Sequence, residues 1–180
     1  MAIKLKLCVA FQLICIYYLT EVYSLVEFTN VQCETLDKDF SLFEYCYLQS
    51  VNRSYKYVSL KVKLLKIPVT KIKVQFGLYK RLNGYKPFLY NMTLDGCRFL
   101  KSRNPNPIAL YFYNLFKDYS NINHTCPYNH DLVLDEMSYH SINYKLTEIL
   151  PFPEGNYKLE VHWIAYDIDR AITTFYFAFS

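Results

Sequence analysis

The sequence predicts a mainly β fold, a two-sheet sandwich with one inserted amphipathic helix, and three observations carry that prediction. Apolar and polar residues alternate along Val58-Ser59-Leu60-Lys61-Val62-Lys63-Leu64 and Ile72-Lys73-Val74-Gln75-Phe76-Gly77-Leu78, the period of strands with one dry and one wet face. Turn residues punctuate these stretches, above all Asn83-Gly84, which suits positive φ at both centres of a type I′ turn. The chain is also loaded with ring residues that favour strands, nineteen Tyr, thirteen Phe and one Trp.

Taken in order, the first element is an export signal. Lys4 and Lys6 precede an apolar run from Leu7 to Leu19, and Val22 and Ser24 occupy the two positions that signal peptidase inspects, which predicts a signal peptide over residues 1–24. The run falls short of the roughly 20 residues that a membrane span needs. One domain follows, residues 25–180, large enough to bury a real core. It keeps four cysteines, Cys33, Cys46, Cys97 and Cys126, and an even number in an exported chain reads as two disulfides. Of the three pairings, Cys33 with Cys46 and Cys97 with Cys126 is expected, because each joins the ends of one local excursion of the chain. Three sequons, at Asn52, Asn91 and Asn123, agree with export and predict N-glycans at exposed positions.

A first strand is expected near Phe28 to Cys33, then one over 58–64, and a hairpin of 71–80 on 86–94. In its second arm Phe88, Tyr90, Met92 and Leu94 share one face and Asn91 lies on the other. Pro105 and Pro107 open a helix whose Ile108, Tyr111, Phe112, Leu115, Phe116 and Tyr119 recur at spacings of three and four. Strands are expected again at Leu132 to Met137, Ile142 to Leu150, Tyr157 to Tyr166 and Ala171 to Phe179, the last two joined through Asp167-Ile168-Asp169. That gives seven to nine strands and one helix.

Charge is unevenly spread. Residues 45 to 94 hold ten Lys or Arg and no acidic group, against eight basic and fifteen acidic groups in the rest of residues 25–180. Lys61, Lys63, Lys71 and Lys73 therefore form either the wet side of strands or a cationic face for an anionic headgroup or glycan. Nucleic acid is not expected for an exported protein.

No catalytic motif emerges. The four glycines are isolated, so neither a phosphate loop nor a nucleophile elbow is present, and no Cys and His spacing suits a metal. His130-Asp131 and the pair Asp167 and Asp169 are better read as loop and turn residues than as acid and base. The reading is no enzyme, no cofactor, no metal and no transmembrane segment. The aromatic load permits either an aromatic-rich solid core or a cavity between the sheets lined by rings and aliphatics. Val62, Leu64, Val74, Phe76, Leu78, Phe88, Tyr90, Met92, Leu115, Val161 and Trp163 are expected to line it, with Tyr111 and Phe112 touching the ligand from a helical lid.

Several stretches then point to a family. Phe28-Thr29-Asn30-Val31-Gln32-Cys33-Glu34, Phe43-Glu44-Tyr45-Cys46, Tyr79 through Tyr90, Cys126-Pro127-Tyr128 and Pro151 through Tyr157 closely resemble the insect family catalogued as domain of unknown function 1091. That family looks like a branch of the ML lipid-recognition domains and resembles the CheB-type secreted chemosensory proteins. The resemblance implies an immunoglobulin-like two-sheet β-sandwich of the ML lipid-recognition type, holding a small hydrophobic ligand such as a lipid, fatty acid or cuticular hydrocarbon between its sheets. The other function the sequence allows is an extracellular interaction module with a solid aromatic core, recognising a protein or glycan through its lysine-rich face.

Overall fold

The computed structural model describes residues 25–52, 55–102, 105–149 and 152–180; the expected signal, residues 1–24, and Arg53-Ser54 of the first sequon lie outside them. Among the described residues, eight strands form two antiparallel sheets. The larger runs β1 (Val26–Thr35), β8 (Ile168–Phe179), β7 (Gly155–Ala165), β4 (Ile72–Leu82), β5 (Gly84–Asp95); the smaller runs β2 (Ser41–Asn52), β3 (Tyr55–Leu64), β6 (Leu132–Ser138). The expected two-sheet sandwich is what the chain forms.

Alternation drives the register. β4 pairs with β7 from Ile72↔Ala165 to Lys80↔Tyr157 without a break, so Ile72, Val74, Phe76 and Leu78 share their inner face with Val161 and Trp163. The tip of the β4–β5 hairpin is narrower than a type I′ turn: Leu82 pairs with Gly84, leaving Asn83 alone at the apex, and Gly84 takes φ +85° while Asn83 has no positive φ. The two-residue turn with both centres left-handed sits instead at Tyr166-Asp167, φ +53° and +63°, between the paired Ala165 and Ile168. Asp169 thus belongs to β8 rather than to the turn.

Helices fill what the sheets leave open. α1 (Gly96–Lys101) is capped by Asp95, whose carboxylate accepts from Arg98 N at 2.9 Å. The expected helix is α2 (Pro107–Phe116), continued by a 3-10 turn over Lys117–Tyr119; Asn106 caps it by accepting from Ile108 N and Ala109 N at 3.0 and 3.1 Å. The segment expected as a strand over 142–150 is a helix, α3 (Tyr139–Ile149). Ile142, Tyr144 and Leu146 alternate, which favours a strand. Tyr139, Ile142 and Leu146 also stand three and four apart, all three are buried, and that period prevails. α3 is tied to β1 by Asn143, whose side-chain oxygen accepts from Val26 N at 3.0 Å. Conversely β2 is an additional strand, in which a register shift between Phe43 and Tyr45 breaks the alternation.

Both expected disulfides form. Cys33–Cys46, with Cα atoms 6.2 Å apart, staples the β1 edge of one sheet to the β2 edge of the other. Cys97–Cys126, at 5.2 Å, joins the start of α1 to the segment ahead of β6. The edges opposite, β5 and β6, do not pair, and α2 lies on that side with Phe112 against Phe76 and Tyr90 at ring distances of 4.9 and 5.9 Å.

Candidate ligand cavity

The inner faces converge on an apolar cavity of about 250 Å³ between the sheets. Its walls come from every layer: Leu60, Val62 and Leu64 of β3, Val74, Phe76 and Leu78 of β4, Val161 and Trp163 of β7, Phe175 and Phe177 of β8, and Phe112 and Leu115 of α2. One end is stopped by Ile142, Leu146 and Phe152, the other by Phe40, Val69, Tyr128 and Ala165. Polar atoms near the walls are already engaged. Trp163 Nε1–H donates to Thr173 Oγ1 at 3.1 Å, and the Tyr128 hydroxyl, pushed up to about 12 by burial, donates to His124 O.

Nine of the thirteen expected contact residues line this cavity: Val62, Leu64, Val74, Phe76, Leu78, Phe112, Leu115, Val161 and Trp163. Phe88, Tyr90, Met92 and Tyr111 do not. β5 is an edge strand, and α2 interposes between its inner face and the cavity, so Tyr90 and Met92 pack beneath the helix with Phe112. Phe88 packs against Phe152 and Tyr157, at 6.4 and 5.5 Å between ring centres. Tyr111 is one step off the lining stripe of Ala109, Phe112 and Phe116; its ring touches Phe112 and its buried hydroxyl has no partner. The sequence alternation identified the inner face correctly but not the layer standing in front of it. Phe152, Phe177, Leu134 and Met137 are lining residues that reasoning from strand pattern missed, though their apolar character in or beside expected strands was a signal for them.

Three of the four lysines of the expected cationic face have acidic partners, and Lys63 has no ion pair among the described residues. Lys61 pairs with Glu44 at 2.9 Å and lies 3.8 Å from Asp131, while Lys71 and Lys73 converge on Asp167, the second at 2.6 Å. Hydrogen bonds from Lys71 and Lys73 hold the Asp167 carboxyl down at about 2. Asp169 meets His162 Nδ1 at 2.5 Å, so Asp167 and Asp169 serve separate contacts. His130 Nδ1 lies 2.8 Å from the backbone oxygen of Asp131, whose carboxylate accepts from Leu64 N at 3.2 Å. Asn52, Asn91 and Asn123 are all exposed. Among the described residues, no helix is long and apolar enough to cross a membrane.

Residues 74–159 match the family model described as protein of unknown function (DUF1091), a span that runs from β4 through β5, the three helices and β6 into β7. No curated protein matches the chain in sequence. The family-model match, over 86 of the 180 residues, supports the DUF1091 family for this chain.

Proposed function

We propose that this chain is a secreted, non-enzymatic binding protein for a small hydrophobic ligand, an ML-type sandwich that takes one slender apolar chain between its sheets. The carrying observation is the apolar cavity of about 250 Å³. An engineered apolar cavity of roughly 150 Å³ stays dry and accepts benzene, whereas drug-sized sites run from about 300 to 1,000 Å³. The volume between those limits favours a single acyl or hydrocarbon chain over a bulky or many-chained lipid. Burying eight methylenes is worth about 6 kcal/mol before ordering costs, enough for weak to micromolar affinity with no hydrogen bond.

Other features agree. Two disulfides suit an oxidising compartment. The three exposed sequon asparagines suit glycans, and the acid and base pairs that the sequence offers are occupied in structural contacts. The interaction-module reading loses support, because Lys61, Lys71 and Lys73 are already matched by carboxylates. A chemosensory setting is the finer form of this proposal, resting on the family resemblance alone.

Titration of a fluorescent fatty acid against the wild type, Phe76→Trp and Val74→Phe tests the cavity. Both substitutions add volume inside it, so each is expected to weaken binding at least tenfold while leaving the circular dichroism of the fold in place. Unchanged affinity in a folded variant, or no binding of any lipid class by the wild type, would reject the cavity reading. Mass spectrometry of lipids extracted from protein made in insect cells would then identify the natural class.

A further inference from the structure

The inner stripe of β4 does not end in an apolar residue. After Ile72, Val74, Phe76 and Leu78 the next position on that face is Lys80, fixed there by its pairing with the fully buried Tyr157. Its ammonium lies 5.3 Å from the Tyr157 ring centre and 5.9 Å from that of Phe88, and its stem passes Gly155, where an added Cβ would stand 3.2 Å from Lys80 Cε. Across the hairpin the register partner of Lys80 is Lys86. Register partners project to the same side of a sheet, so two lysines stand directly opposite each other at one end of the apolar stripe. Like charges so placed repel, and no carboxylate pairs with either of them among the described residues. Lys61, Lys71, Lys73, Lys56 and Lys158, by contrast, each have an acidic partner.

This pair adjoins the cavity. Leu78, two residues before Lys80, lines it, and two residues span roughly 7 Å of strand. Phe152, which stops that end of the cavity, lies 5.8 Å from Tyr157 and 6.4 Å from Phe88, the two rings beneath the Lys80 ammonium. These rings stand between the cavity and the two cations, so a chain lying in the cavity would bring its head to the lysines once the Phe152 ring turns aside. Partial desolvation against the rings makes a charge there count for more than on an open surface.

We infer that Lys80 and Lys86 form an anion subsite at the Phe152 end of the cavity, and that the ligand is an anionic single-chain amphiphile, its carboxylate on the lysines and its tail between the sheets. This rests on the cavity reading above and adds a charge to it. Lysines on an edge hairpin also discourage strand pairing between molecules, which is the competing account of their placement.

The test compares decanoate with decanol as ligands of the full chain, in the wild type, Lys80→Met, Lys86→Met, the double variant, and Lys63→Met as an exposed lysine elsewhere. Methionine keeps the apolar stem and removes the charge. The preference for decanoate over decanol is expected to fall roughly five- to tenfold in the double variant and to persist in Lys63→Met, with decanol affinity unchanged. An unaltered preference, or self-association as the only change, would overturn the subsite while leaving the cavity standing. Failure of the wild type to bind either ligand would overturn both. Inorganic phosphate has charge but no tail; if it stabilised the protein as well as decanoate does, through the same lysines, the pair would belong to a free anion and the amphiphile proposal would fall.

Discussion

At the scale of single residues, the cysteines, sequons and alternating apolar positions were legible because each depends on local chemistry or on a period that the backbone imposes. Leu78 and Val58 are all but fully buried where the alternation puts them, and Asn91 is exposed where it should be. What a residue meets across the interior was not legible. Tyr90 and Met92 face inward as expected yet touch α2 rather than the cavity, since contact depends on a helix docked from fifteen or more positions further along. The partners of the lysines were equally hidden, because Asp167 reaches Lys71 and Lys73 only through the pairing of β7 with β4. That triad has a pH signature. Hydrogen bonds from Lys71 and Lys73 lower the Asp167 carboxyl from an ordinary 3.8 to about 2. A depressed folded-state value contributes stability above the ordinary value and loses it as pH falls through the folded one. Asp167→Asn should therefore lower the thermal midpoint slightly at pH 6, the difference closing between about pH 4 and pH 2, and less at high salt because all three groups are half exposed. A difference that held constant from pH 6 to pH 2 would contradict the triad as its source.

At the scale of elements, long strands with unbroken register were the readable ones and short or irregular ones were not. β4 and β7 alternate without a shift over their whole pairing and were anticipated almost to their ends. β2 has shifts between Phe43 and Tyr45 and between Ser50 and Asn52, so its pattern is not that of a simple strand. α3 was misread because its first residues satisfy both periods, and only the burial of Tyr139 with Ile142 and Leu146 decides for the helix. α1 is too short, at six residues, for any period to show. The helical segment depends on its clamp. Cys97–Cys126 closes a separation of 29 residues that contains α1, α2 and the 3-10 turn, which on the chain-entropy model is worth roughly 3 to 4 kcal/mol. Replacing both cysteines by serine should cost about that much in urea denaturation; loss of less than about 1 kcal/mol would mean that packing of Phe112 and Leu115 alone holds the segment.

Viewed as a whole, the sandwich was foreseeable from the number of strands and turns, but the cavity was not. Composition allows a solid aromatic core and a lined void equally, and the choice depends on how far the sheets stand apart. Ring packing is densest at the α3 end, where Phe152, Tyr157, Phe177 and Phe179 stack or meet edge to face at 5.0 to 5.8 Å. The surface carries its own prediction. Asn52, Asn91 and Asn123 are exposed and none lines the cavity, so glycans there would leave ligand binding untouched. Peptide N-glycosidase treatment of protein made in insect cells should increase its gel mobility, with at least two steps on partial digestion, and on the cavity proposal should leave fatty-acid affinity unchanged. Unaltered mobility would reject the glycans.

The two long sides of the sandwich are closed by different kinds of bond, and on the ligand-binding proposal that asymmetry would set how a guest gets in. Along β1 and β2 the seam is covalent, while along β5 and β6 the closure is α2, whose side-chain and carbonyl hydrogen bonds among the described residues go to Ile122 and to Lys145 of α3 and to no strand. Lifting that helix would break no sheet ladder and would cost its side-chain packing and those two hydrogen bonds, so the molecule is built like a book whose spine is sewn and whose fore-edge is held by a clasp. On the ligand-binding proposal, loading would then be a matter of rate: the frequency with which the clasp lifts, and not the strength of the grip inside, would limit how fast a scarce apolar molecule is caught.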